Sequence, residues 1–62
     1  MKYGIAHTKN GLPPPFDELI SWKKNSDGED ETWKSLSLAL KANDLYGWRG
    51  YICIYPSGDR VK

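Results

Sequence analysis

A chain of 62 residues with a single cysteine, Cys53, cannot cross-link itself. A domain of this size buries only about 60% of the surface that its unfolded chain exposes. Secreted domains this small usually add two or more disulfides. The fold must therefore be held by its core alone or be completed by a partner, and the unpaired thiol points to a reducing, cytoplasmic setting. Eight aromatic residues, three of them tryptophan, supply the bulk for such a core and exclude a disordered tail. The sequence reads as one complete domain over 1–62, opened by Met1. It has no charged-then-apolar leader and no apolar run of membrane-spanning length.

Alternation comes first along the chain. Tyr3, Ile5 and His7 fall on one side of an extended segment, with Gly4, Ala6 and Thr8 on the other, which predicts a strand over 2–8. Asn10-Gly11 is a turn, and Pro13, Pro14 and Pro15 fix an extended polyproline lead. Pro15 suits the first position of a helix, and Phe16, Leu19, Ile20 and Lys23 keep helical spacing. Asp17 and Glu18 complement the positive end, so a helix is expected over 15–24, closed by Asn25-Ser26-Asp27-Gly28.

A second helix is expected from Asp30, a good N-cap. It carries Trp33, Leu36 and Leu40 on one stripe and Leu38, Ala42 and Leu45 nearly opposite, and Asn43 or Gly47 ends it. Trp48 to Tyr55 reads as a strand, Pro56 to Asp59 as a turn, and Arg60-Val61-Lys62 as a short return strand. The order is β-α-α-β-β, an α+β domain with two helices packed on one face of a two- or three-stranded sheet. Strand parity then turns Ile52 and Ile54 toward the helices and Tyr51, Cys53 and Tyr55 away, onto a flat outer face suited to docking.

Chemistry-bearing patterns are few. His7 and Cys53 are the only catalytic pair on offer, and parity puts them on opposite faces, out of reach of each other. The acidic run Asp27 to Glu31 lacks the ligand spacing of a calcium loop, zinc has no ligand set, and no glycine-rich phosphate cradle occurs. No catalytic residue, metal or cofactor is therefore assigned. Net charge is +1, made of +2 over residues 1–16, −4 over 17–31 and +3 over 32–62. That balance is too even for a dedicated nucleic-acid binder and not acidic enough for a nucleic-acid mimic.

The expected function is a small non-enzymatic protein-binding module, an accessory regulator or inhibitor of a larger protein or a homodimer. Its contacts are Trp48, Tyr51 and Tyr55, with Tyr46 and Leu38 beside them, because Tyr and Trp concentrate binding energy at interfaces. The alternative is a nucleic-acid binder. It would use Lys41, Arg49, Arg60 and Lys62 on phosphates, with tyrosine and tryptophan as stacking platforms. A helix-turn-helix with a C-terminal wing is disfavoured, since the second helix lacks exposed groups suited to base edges. No membrane partner is expected.

Overall fold

The computed structural model describes residues 1–61. Its centre is strand β1, Lys2–Thr8, in which Gly4, Ile5 and Ala6 are fully buried. β1 is paired antiparallel along both edges. On one edge lies β4, Tyr51–Tyr55, in the register Lys2↔Tyr55 to Ala6↔Tyr51. On the other edge β2, Leu19–Trp22, pairs Ala6↔Trp22 to Thr8↔Leu19, and β3, Thr32–Trp33, pairs Tyr3↔Trp33 and Gly4↔Thr32. The Lys23 N–H donates to the Ile5 carbonyl at 2.8 Å, so β2, Lys23 and β3 follow β1 as one edge strand interrupted by the excursion 24–31.

The excursion closes on itself. Asn25 Oδ1 accepts from the Asp27 and Glu29 N–H groups at 2.9 and 3.0 Å, and Gly28 takes φ 81° at the turn. Lys23 Nζ meets Glu31 Oε1 at 2.6 Å, and Lys24 pairs with Asp30.

One helix, α1, spans Leu36–Leu45, capped by the Ser35 side chain, which accepts from the Leu38 N–H. It ends in a Schellman motif. Gly47 adopts φ 83°, its N–H donates to Asp44 O at 3.1 Å, and the Trp48 N–H donates to Asn43 O at 2.9 Å. α1 packs on the sheet face that carries Tyr3, Ile5, His7 and Ile52. Ala39 and Asn43 are buried there, and Tyr46 meets the His7 ring edge-on at 5.8 Å.

The structure thus corrects the β-α-α-β-β expectation: one helix lies on a four-stranded antiparallel sheet, in the order β1-β2-β3-α1-β4. The expected helix over 15–24 is a turn followed by β2. The Asp17 carboxylate, read as a helix-end complement, instead accepts from the N–H groups of Asn10, Leu12 and Glu18, closing the loop that delivers Leu19 to Thr8. The residues from Pro13 turn rather than extend, with the Phe16 N–H on Pro13 O at 2.9 Å. Asp30 caps nothing, because Thr32 and Trp33 pair with β1 and the helix waits for Ser35. β4 is shorter than the expected 48–55 strand, since the Schellman motif consumes Trp48. Of the expected return strand, Arg60 makes a single bridge to Cys53, and Lys62 lies outside the described residues.

The crossing of β1 and β4 leaves no space at Gly50. A Cβ there would lie 2.5 Å from Ile5 Cγ2 and 2.8 Å from the Ala6 carbonyl oxygen. Gly50→Ala is expected to lower stability by about 1–3 kcal/mol, the usual range for overpacking a tight site. Urea unfolding of the variant and the wild type with a common m-value measures it.

Candidate functional site

Residues about 20° to 40° apart on the helix wheel group α1 into three stripes. Ala39 and Asn43 face the sheet; Leu36 and Leu40 flank them on one side, and Leu38 and Leu45 on the other. The Leu36/Leu40 flank forms one wall of a groove of about 370 Å³. Trp48, Tyr51, Ile52 and Val61 line it as well. Arg60 also lines the groove, and among the described residues no acidic one does.

Asn43 lies among the lining residues at 1% exposure. Its Nδ2 donates to the Gly50 carbonyl at 3.3 Å, which fixes the orientation of the amide. The Oδ1 is buried with no donor among the described residues, an arrangement that costs about 1–3 kcal/mol.

Trp48 carries the second local cost. Its φ of 56° lies in the left-handed region, where a bulky side chain is an outlier and the strain is about 1–3 kcal/mol. The motif that ends α1 places the left-handed residue at Gly47, and Trp48 follows it with a second positive φ. The indole is nevertheless 60% exposed, and its Nε1 donates to Asp44 Oδ1 at 3.1 Å. A strained backbone therefore presents a fixed aromatic ring to solvent rather than burying it.

The expected contact residues do not form one surface. Trp48 and Tyr51 share the groove. Tyr55 lies on the far face of the sheet, in edge-on contact with Trp22 at 5.0 Å, and its hydroxyl donates to Asp30 Oδ2 at 2.9 Å. Tyr46 is under the helix end, with Lys23 and Arg49 over its ring at 5.1 and 5.9 Å. Leu38 is exposed on the other flank of α1.

The flat docking face expected around Tyr51, Cys53 and Tyr55 is closed. Trp22 lies against Gly4, where an added Cβ would be 2.7 Å from its ring, and Cys53 is wholly buried, which pushes its thiol up. The Tyr51 hydroxyl donates to Gly11 O at 2.5 Å, tying down the loop between β1 and β2. His7 faces α1 while Cys53 faces away, so the two are not brought together.

Of the cations in the alternative reading, Lys41 and Arg49 are exposed, and the Arg60 guanidinium lies 6.0 Å from the Tyr51 ring. Lys62 lies outside the described residues. Among the described residues no group of three or more His, Cys, Asp or Glu side chains is placed to hold a metal ion, and no helix is long and apolar enough to cross a membrane.

Sequence reasoning missed Leu36, Leu40, Asn43 and Val61 as groove residues. The available signal was the pair of glycines, Gly47 and Gly50, bracketing Trp48-Arg49. Comparison with protein families, with curated proteins and with solved structures finds no match.

Two carboxylates hold the loops around the sheet. Burial pushes the Asp17 carboxyl up, but the N–H donors of Leu12, Asn10 and Glu18, with the Asn10 side-chain amide, bring it below the ordinary value. Asp30 is lowered by its hydrogen bonds from Lys24 and Tyr55. A carboxyl depressed in the folded state contributes stability that is present above its unfolded value and is lost as pH falls through the folded one. The melting temperature should therefore drop on acidification below the ordinary Asp range. Asp17→Ala should have a lower melting temperature at neutral pH and a shallower acid dependence, both read from thermal unfolding across pH.

Proposed function

We propose that the protein is a small, non-catalytic protein-binding module whose docking site is the groove between α1 and β4 rather than the far face of the sheet. The observation that carries this reading is Trp48, a large ring held in a strained backbone conformation, fixed by Asp44 and left exposed at the end of an apolar groove. Strain of this kind persists where the surrounding structure enforces it, and it clusters at ligand-contacting positions. Tyr51 and the leucines of α1 supply the apolar walls, and Arg60 gives the site a positive edge. A cytoplasmic, accessory role is in keeping with the single unpaired Cys53 and the small size of the chain.

A nucleic-acid reading keeps one supporting observation, the Arg60 guanidinium beside the Tyr51 ring in the same groove. The two readings part on salt. Phosphate contacts make affinity fall steeply with ionic strength, and an apolar protein interface responds weakly.

Trp48→Asn discriminates between a structural and a binding role for the ring. Asn accepts the left-handed conformation far better than Trp, so the melting temperature should stay near the wild-type value or rise. Affinity capture from cell extract with wild-type and Trp48→Asn baits should give partners retained by the first and lost by the second. Identical captured sets would overturn the groove as the docking site. Saturable, steeply salt-dependent quenching of tryptophan emission by oligonucleotides would instead support the nucleic-acid reading.

A further inference from the structure

The loop between β1 and β2 presents a knob of the chemistry that the groove lacks. Phe16 is 76% exposed, and the turn from Pro13 O to the Phe16 N–H holds it out from the loop. Asp17 and Glu18 follow it directly, and Glu18 is exposed. The groove is largely apolar and is lined by Arg60 and, among the described residues, by no acid, with Asp44 engaged on the Trp48 indole at its margin. An exposed aromatic ring with the exposed Glu18 two residues on matches a largely apolar slot edged by the Arg60 guanidinium in shape class and charge.

Knob and groove also share a margin. Tyr51 lines the groove, and its hydroxyl holds Gly11 of the loop. The Asp17 carboxylate binds the N–H groups of Asn10 and Leu12, on either side of Gly11, so the loop that carries Phe16 is tied to a residue of the groove. Pro15, beside Phe16, lines a cleft together with Arg60 and Val61. A surface that carries a knob next to its own complement can close on a second copy by two-fold rotation, each copy supplying one knob and one groove.

We propose that the occupant of the groove is the Phe16 loop of a second copy of this chain, in a two-fold dimer that exchanges Phe16 knobs across Trp48 and Arg60. The inference rests on the groove being a protein-docking site and names its partner. The dimer would cover Phe16 and Trp48, two of the large apolar side chains that the monomer leaves exposed.

Sedimentation equilibrium of the full chain over a wide concentration range tests this, with circular dichroism of each variant as the check on folding. The wild type should show a reversible monomer–dimer equilibrium. Phe16→Ala and Trp48→Asn should each weaken dimerisation by about tenfold or more, as expected of interface hot spots. An equimolar mixture of the two variants should associate more tightly than either alone, because the mixed pair keeps one intact knob in one intact groove. A wild type that stays monomeric at every concentration would overturn the inference. So would a folded Phe16→Ala chain that dimerises like the wild type. Either result leaves capture of a different protein by the groove to be decided by the Trp48→Asn baits, so the two proposals fail separately.

Discussion

The double pairing of β1 is the constraint on which the structure depends. A strand hydrogen-bonded along both edges has no backbone group left for water, and in this one Gly4, Ile5 and Ala6 are also buried on both faces. Its pleat is asymmetric. Ile5 fills the side under α1, while Gly4 and Ala6 leave the other side shallow enough for Trp22 to lie against the backbone. A one-residue slip would drive Ile5 into Trp22 and leave a hole beneath Ala39, so packing on both faces enforces a single register. The interrupted edge strand follows from the same need. β2 and β3 are too short to stand alone, and each is stable as a stretch of the row that covers β1.

The regular parts of this fold were legible because their signals are local. The alternation of residues 2–8 appears where it is expected, the strand expected over 48–55 is present from Tyr51 to Tyr55, and Gly47, one of the two candidate ends of α1, closes it. The failures share a different cause. Asp17 and Asp30 carry the chemistry of helix capping, and in both the carboxylate is used at longer range, on loop amides in one case and on Tyr55 and Lys24 in the other. Leu19 to Trp22 is four residues long, and its state is decided by Ala6 and Thr8, far away in sequence. Tertiary pairing overrode a propensity that favours helix only weakly. Register parity nevertheless survived the wrong topology, and Ile52 and Cys53 occupy the faces expected of them.

The groove was only partly readable, because four separate segments build it. Leu36 and Leu40 come from the helix, Trp48 from its cap, Tyr51 and Ile52 from β4, and Arg60 and Val61 from the tail that folds back on Cys53. Aromatic character alone singled out Trp48, Tyr51 and Tyr55, yet it could not separate a ring that faces solvent from one whose hydroxyl is committed to a loop. The hydroxyl partners make that separation. Tyr55 is held by Asp30, which no spacing in the sequence connects to it, whereas Trp48 is held by Asp44, four residues away on the same helix.

Local costs in this molecule are not spread evenly. The far face of the sheet is well satisfied: Trp22 covers Gly4, the Tyr55 hydroxyl donates to Asp30, and Asp30 also pairs with Lys24. The left-handed Trp48 and the undonated oxygen of Asn43 both belong to the groove, next to the exposed Leu40. Among the described residues the fully buried hydrophobic core is Ile5, Ala6, Ala39 and Cys53, so the chain has little margin for such costs. In a domain with so thin a core, backbone strain and an unsatisfied amide at one place are a large share of the net stability.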